Sequence, residues 1–223
     1  MSLPQSFTEA LESYDRALTL LCASKGTEKG PKLAALDRWV FGKFAESARE
    51  GGKMSVEDLA KVVEWKLSRG KFRPTLLAQV KSNSPELVES ASKAAFSKLK
   101  QNKTLEALAE ISKLKGVGPA TASAILSAHS PDVPFMSDES LSTIYPANKL
   151  PYTASAYKKL LASLTDQATE LNKDDAKSEW TAGKVERAIW AWKVIKKLET
   201  SDTKRKRPPS SDASSDSKKA KTE

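Results

Sequence analysis

Residues 114–140, LKGVGPATASAILSAHSPDVPFMSDES, decide the fold of this chain. Gly116 and Gly118 flank a single valine, and Pro119 follows where a helix would take its first turn. Proline suits that position because the N–H it lacks would have no helical partner there. The pattern predicts one helix that ends just before the glycines, a tight turn, and a second helix over residues 121–128 with small and apolar side chains.

A glycine turn of this kind presents backbone N–H groups at the start of the second helix. Glycine permits positive φ and has no side chain to hold a ligand away from the backbone. The first N–H groups of a helix have no partner inside it and attract anions. The donors predicted to point at a phosphate oxygen are those of Gly116, Gly118, Ala120 and Thr121. Val117 is expected to pack between the helices, and Lys115 to add positive charge. A glycine turn that only joins two helices remains the alternative.

The composition excludes several classes of protein. No run of about 18 apolar residues is present, so we expect no membrane span. Cys22 and His129 are the only cysteine and histidine among the 223 residues. An intrachain disulfide, a four-cysteine zinc or iron–sulfur site and a His-rich metal centre are therefore excluded. We expect no metal and no cofactor.

The body of the chain, residues 1–199, is predicted to be all-α. Apolar residues recur at helical spacing in most segments, and no alternating strand pattern occurs. Ser55 and Asp58 form a capping pair before one of these segments. Pro74, Pro85 and Thr104 mark further helix starts. We expect the body to be monomeric.

The tail, residues 200–223, contains Ser, Lys, Asp and Pro but no large apolar side chain. It cannot bury enough surface to offset its ordering entropy, so it is predicted to be disordered. Two basic clusters ten residues apart are typical of a bipartite nuclear import signal, which predicts a nuclear location and an import receptor as partner. A solubilising or non-specific DNA-binding tail is the alternative. The basic residues are Lys204, Arg205, Lys206, Arg207, Lys218, Lys219 and Lys221.

The opening stretch resembles the helix-hairpin-helix DNA glycosylase superfamily, which contains endonuclease III and the adenine glycosylases. The family pattern is Leu-Pro-Gly-Val-Gly, two variable residues, Thr-Ala, a small-residue-rich apolar helix, a loop with proline, and an aspartate. Here the motif spans residues 108–138, and Asp138 lies twenty residues after Gly118. The chain is also similar to a poorly characterised eukaryotic branch that carries the same hairpin.

The resemblance implies a glycosylase-like helical domain that binds duplex DNA through the hairpin. It makes Asp138 the candidate catalytic residue, because a fixed carboxylate stabilises the positive charge that develops on the sugar as a base leaves. Ala120 stands where bifunctional members carry a Schiff-base lysine, which implies a monofunctional enzyme without that lyase activity. Asp138 or Ser137 as a helix N-cap is the structural alternative.

A second segment, residues 62–76 with the sequence VVEWKLSRGKFRPTL, mixes basic and aromatic side chains. Trp65 is expected in the core, whereas Arg69, Lys71 and Arg73 are predicted to contact the DNA backbone. Positive charge on the body, +6 of the total of +9, agrees with a polyanionic partner.

These observations leave three hypotheses open. The first is a nuclear DNA-binding protein of the helix-hairpin-helix glycosylase type that acts as a monofunctional base-excision glycosylase. The second is a catalytically inactive DNA-binding protein or chromatin adaptor with the same hairpin. The third is a helical protein-interaction module whose basic tail serves only for import.

Overall fold

The computed structural model of the protein describes residues 3–70, 73–174 and 179–205. These residues form helices and turns, with no β-strand among them. The α-helices are α1 Phe7–Glu12, α2 Tyr14–Ser24, α3 Gly26–Trp39, α4 Ala45–Gly51, α5 Val56–Arg69, α6 Pro74–Lys81, α7 Pro85–Lys100, α8 Thr104–Ile111, α9 Pro119–His129, α10 Asp138–Leu141, α11 Ala154–Asp174 and α12 Ala182–Arg205. A π-helical turn, Val40–Phe44, joins α3 to α4. The all-α prediction is thus confirmed for the described part of the chain.

The helix boundaries follow local capping signals. The hydroxyl of Ser55 accepts from the N–H of Asp58, and the Asp58 carboxylate accepts from the N–H of Ser55, which is a complete capping box. The hydroxyl of Ser84 accepts from the N–H of Leu87 and caps α7. Helices begin at Pro74, Pro85 and Thr104, at the positions that the sequence predicts.

Helix α9 lies at the centre of the fold. All of its residues from Ala120 to His129 are buried, and it contacts α4, α5, α8, α11 and the π-helical turn. Its alanine and serine side chains are small, so the neighbouring helices approach closely on every side. Only the N-terminal end of α9 reaches the surface, and that end carries the glycine turn.

The two ends of the described chain pack against each other. Helix α12 contacts α1 and α2, and the rings of Tyr14 and Trp190 lie 4.9 Å apart. Helix α12 continues to Arg205, six residues beyond the body predicted to end at residue 199. No proline interrupts the chain between the start of α12 and Pro208, so nothing in the sequence stops the helix earlier. Among the described helices, none combines the length and the apolar character needed to cross a bilayer.

Candidate nucleic-acid interface

Gly116 is required by the fold of the turn. Its φ is +75°, a left-handed conformation that favours glycine. A Cβ atom at this position would lie 3.1 Å from both the Cβ of Gln79 and the Cγ2 of Val80. The adjacent Val117 is buried and its N–H donates to the carbonyl of Leu114 at 3.1 Å, so it packs between the helices as predicted. The first glycine therefore serves the close packing of the hairpin on α6.

The fold does not require glycine at position 118 in the same way. Its φ of −95° and ψ of 179° are open to any residue, and an added Cβ would meet no atom within 4 Å. Its missing side chain leaves open the space in front of the N-terminus of α9. This is the arrangement that close approach of a ligand to the backbone requires.

The side-chain amide of Asn83 anchors the turn from the other side. Its Oδ1 accepts from the N–H of Lys115 at 2.8 Å, and its Nδ2 donates to the carbonyl of Lys115 at 3.0 Å. Nδ2 also donates to the carbonyl of Val80 at 2.8 Å. Asn83 is buried, so these bonds hold the turn against the end of α6. The side chain of Lys115 itself is exposed.

Three of the predicted backbone donors are free. Within the residues described, the N–H groups of Gly116, Gly118 and Ala120 donate to no acceptor. The prediction for the N–H of Thr121 is wrong, because that group donates to the carbonyl of Gly118 at 2.9 Å and closes the first turn of α9. Thr121 nevertheless lines the cleft in front of the turn.

This cleft has a volume of about 220 Å³. It is lined by the glycine turn and the start of α9, by the basic side chains of Lys66 and Arg73, and by Asp138 and Tyr152. Free backbone N–H groups, two cations and a carboxylate therefore meet in one small cavity. The cleft brings together most of the residues predicted for this site.

Asp138 is the first residue of α10 and is exposed. The N-cap is Ser137, whose hydroxyl accepts from the N–H of Ser140 at 3.1 Å. Capping therefore does not occupy the carboxylate of Asp138. Its Oδ1 accepts a 2.7 Å hydrogen bond from the hydroxyl of Tyr152, and burial together with this bond raises the pKa of Tyr152.

A buried carboxyl group lies beneath the start of α10. The hydroxyl of Ser137 donates to Oε1 of Glu186 at 2.6 Å, and Glu186 is only 4% exposed. Burial raises the pKa of Glu186 to about 7, although Arg69 and the bond from Ser137 act in the opposite direction. Glu186 on α12 thus holds the cap that places Asp138 at the cleft.

Lys66 and Tyr152 are site residues that the sequence did not indicate. Burial and the charge of Arg73 lower the pKa of Lys66, while Asp138 raises it. Lys66 follows the buried Trp65 on α5. Its position in the basic and aromatic segment of residues 62–76 was the one feature of the sequence that pointed to it. Tyr152 lies in the loop after α10, and no sequence pattern linked it to Asp138.

The prediction that Arg69 contacts the DNA backbone is wrong, because its side chain is buried. It is 7% exposed and lies 3.9 Å from a carboxylate oxygen of Asp37. Its guanidinium carbon is 3.8 Å from the ring centre of Trp190 and 4.8 Å from that of Trp65. A cation enclosed by aromatic faces and a carboxylate has stable partners within the core.

The other predicted basic residues lie in the cleft, at the end of α12, or outside the residues that the structure describes. Arg73 is exposed and lines the cleft. The backbone of Lys204 and Arg205 belongs to the last turn of α12. The remaining basic residues lie outside the described residues: Lys71, and Lys206, Arg207, Lys218, Lys219 and Lys221 of the import signal.

In the described ranges, no group of three or more His, Cys, Asp or Glu side chains is placed to hold a metal ion. Comparison of the chain with protein-family models, with curated proteins and with solved structures finds no match.

Proposed function

We propose that this protein is a nuclear DNA-binding protein of the helix-hairpin-helix glycosylase type, and that it acts as a monofunctional DNA N-glycosylase. One observation is the main support for this proposal. The exposed carboxylate of Asp138 lines the same cleft as the free N–H groups of Gly116, Gly118 and Ala120. A turn suited to phosphate and an available carboxylate thus occupy one cavity.

The turn is suited to hold one backbone phosphate of DNA. The three free N–H groups lie at the N-terminus of α9, where the helix dipole favours negative charge. The side chains of Lys66 and Arg73, which line the same cleft, add two positive charges. These contacts recognise the backbone and carry no sequence information, so they position the DNA rather than select a base.

The carboxylate would act on a nucleotide extruded from the duplex. As the bond between base and deoxyribose breaks, positive charge builds on the sugar, and a fixed carboxylate stabilises that charge or activates the attacking water. The hydrogen bond from Tyr152 fixes one oxygen of Asp138. Ala120 supplies no amine at the hairpin, so the reaction we propose is hydrolysis without the lyase step of the hairpin-lysine type.

The experiment compares the full chain with Asp138→Asn on a panel of duplexes that carry damaged or mismatched bases. We expect the wild type to release one class of base, and the variant to lose release while it binds DNA with equal or higher affinity. Binding without release from any duplex would favour the catalytically inactive adaptor instead. No DNA binding by the full chain would reject the proposal.

A nuclear location is part of the proposal and rests on the basic clusters of residues 200–223. Alanine in place of Lys204, Arg205, Lys206 and Arg207 should shift a fluorescent fusion of the full chain from the nucleus to the cytoplasm. A matched change of Lys158 and Lys159, exposed on α11, should leave its location unchanged.

A further inference from the structure

A second groove adjoins the cleft of the hairpin, and Gly70 lines both cavities. The groove has a volume of about 390 Å³. The buried Leu67 and the half-buried Leu77 form an apolar floor, and Lys25, Lys29 and Lys32 line the groove from the start of α3. The volume falls in the range of small-ligand pockets, about 300–1,000 Å³. An apolar floor beside lysines suits a segment of sugar–phosphate backbone.

Two of the three lysines of this groove lack an ion-pair partner. Lys32 pairs with Glu64 at 2.5 Å. Lys25 and Lys29 form no ion pair with any residue that the structure describes. Burial lowers the pKa of Lys25, Cys22 acts against this shift, and the positive charges of Lys197 and Lys29 add to it.

The position of Lys29 on its helix is also unfavourable without a ligand. Lys29 lies in the first turn of α3. Lys25 stands between the end of α2 and the start of α3, so the dipoles of the two helices act on its charge in opposite directions. Positive side chains at a helix N-terminus oppose the helix dipole, whereas an anion there is stabilised. A bound phosphate would relieve both the repulsion between the lysines and the conflict of Lys29 with the dipole of α3.

We propose that this groove binds the DNA backbone next to the phosphate held by the hairpin, with phosphates on Lys25 and Lys29 and a deoxyribose against the floor of the groove. The proposal rests on the proposed function, since the strand enters the groove from the cleft past Gly70. It extends the contact with DNA to the N-terminal part of the chain. Because it involves backbone alone, its contribution is independent of sequence.

The test measures DNA affinity by fluorescence anisotropy from low to moderate salt, with the full-length chain and duplexes of increasing length. The double variant Lys25→Ala/Lys29→Ala is compared with Lys158→Ala/Lys159→Ala, which removes the same charge from α11. Removal of one lysine that binds a phosphate should reduce the slope of log affinity against log salt by about one. We expect a decrease of about two for the groove variant on duplexes long enough to reach the groove, equal for unrelated sequences, and no matching decrease for the control.

A slope that is the same in the groove variant and in the control overturns this inference, while the hairpin remains the DNA contact. Weaker binding by the groove variant, with full affinity in Gly118→Asp, would support the groove as a DNA contact but overturn its link to a phosphate held by the hairpin. If the wild type binds no DNA, both proposals fail. Circular dichroism of each variant checks that the fold is intact.

Discussion

The hydroxyl of Tyr152 donates a 2.7 Å hydrogen bond to Oδ1 of Asp138, so one oxygen of the candidate catalytic carboxylate is held by the protein. The other oxygen, Oδ2, accepts from no group within the described chain. The pair connects the start of α10 with the loop that follows it. A carboxylate fixed at one oxygen and open at the other has a defined orientation toward the cleft.

Replacing Tyr152 by Phe tests this arrangement. Tyr152 is 39% exposed, so we expect the free energy of unfolding to change by less than about 1 kcal/mol. The rate of base release should fall roughly tenfold, because about 1.4 kcal/mol of carboxylate orientation is removed. Single-turnover kinetics and urea denaturation measure the two quantities. An unchanged rate in a variant that folds normally would show that the bond to Asp138 has no part in the reaction.

The two glycines of the turn should respond differently to substitution by alanine. Gly116→Ala forces a side chain into a left-handed φ and against α6, so we expect the free energy of unfolding to fall by about 1–3 kcal/mol. Gly118→Ala should change stability by less than about 0.5 kcal/mol, since the added methyl group meets nothing. Urea denaturation of both variants measures these changes.

For DNA affinity, we expect the substitution of Gly118 to have the larger effect, measured at a temperature where both variants are folded. Gly118→Ala places a methyl group in the cleft and should weaken binding, and a larger residue such as Leu should weaken it further. Anisotropy with a labelled duplex measures this. Full affinity in Gly118→Leu would show that the glycine turn is only a connection between two helices.

The local features of the hairpin were predictable because their signals lie in adjacent residues. Glycine, proline and a run of small residues predict the turn and α9 directly, and Val117 is buried as expected. The capping box of Ser55 and Asp58 is equally local. Such signals depend on backbone conformation and not on distant partners, which is why they can be read from one sequence.

The environment of Arg69 was not predictable in this way. The sequence around it, Arg-Gly-Lys, is typical of a solvated turn. Its partners come from distant parts of the chain: Asp37 on α3, Trp190 on α12, and Phe135 before α10. Only the tertiary structure brings these groups together, and the same is true of Tyr152 and Asp138.

The stability of the protein should depend on pH through Glu186. The pKa of glutamate is 4.5 before burial and about 7 for Glu186 in the fold, so the folded state binds more protons between these values. The resulting stabilisation is complete below pH 4.5 and is lost as pH rises through 7. We expect the free energy of unfolding to fall by roughly 3 kcal/mol over this interval relative to Glu186→Gln.

Urea denaturation at several pH values measures the difference between the two proteins. Gln cannot ionise, so this part of the pH dependence should be absent from Glu186→Gln. The exposed Glu12→Gln is the control and should follow the wild-type profile. Parallel profiles for the wild type and Glu186→Gln would contradict a raised pKa at Glu186.

Arg69 and Arg73 lie four residues apart and should have separate roles. Arg69→Ala leaves the buried carboxylate of Asp37 without its cation, so we expect the free energy of unfolding to fall by about 3–5 kcal/mol. Arg73 is exposed and forms no ion pair in the described structure, so Arg73→Ala should change stability by less than about 0.5 kcal/mol. It should instead weaken DNA binding and reduce the salt slope by about one. Denaturation curves and salt-dependent anisotropy of both variants distinguish the two roles. If the two variants are equally stable and lose the same DNA affinity, Arg69 contacts DNA as the sequence predicted.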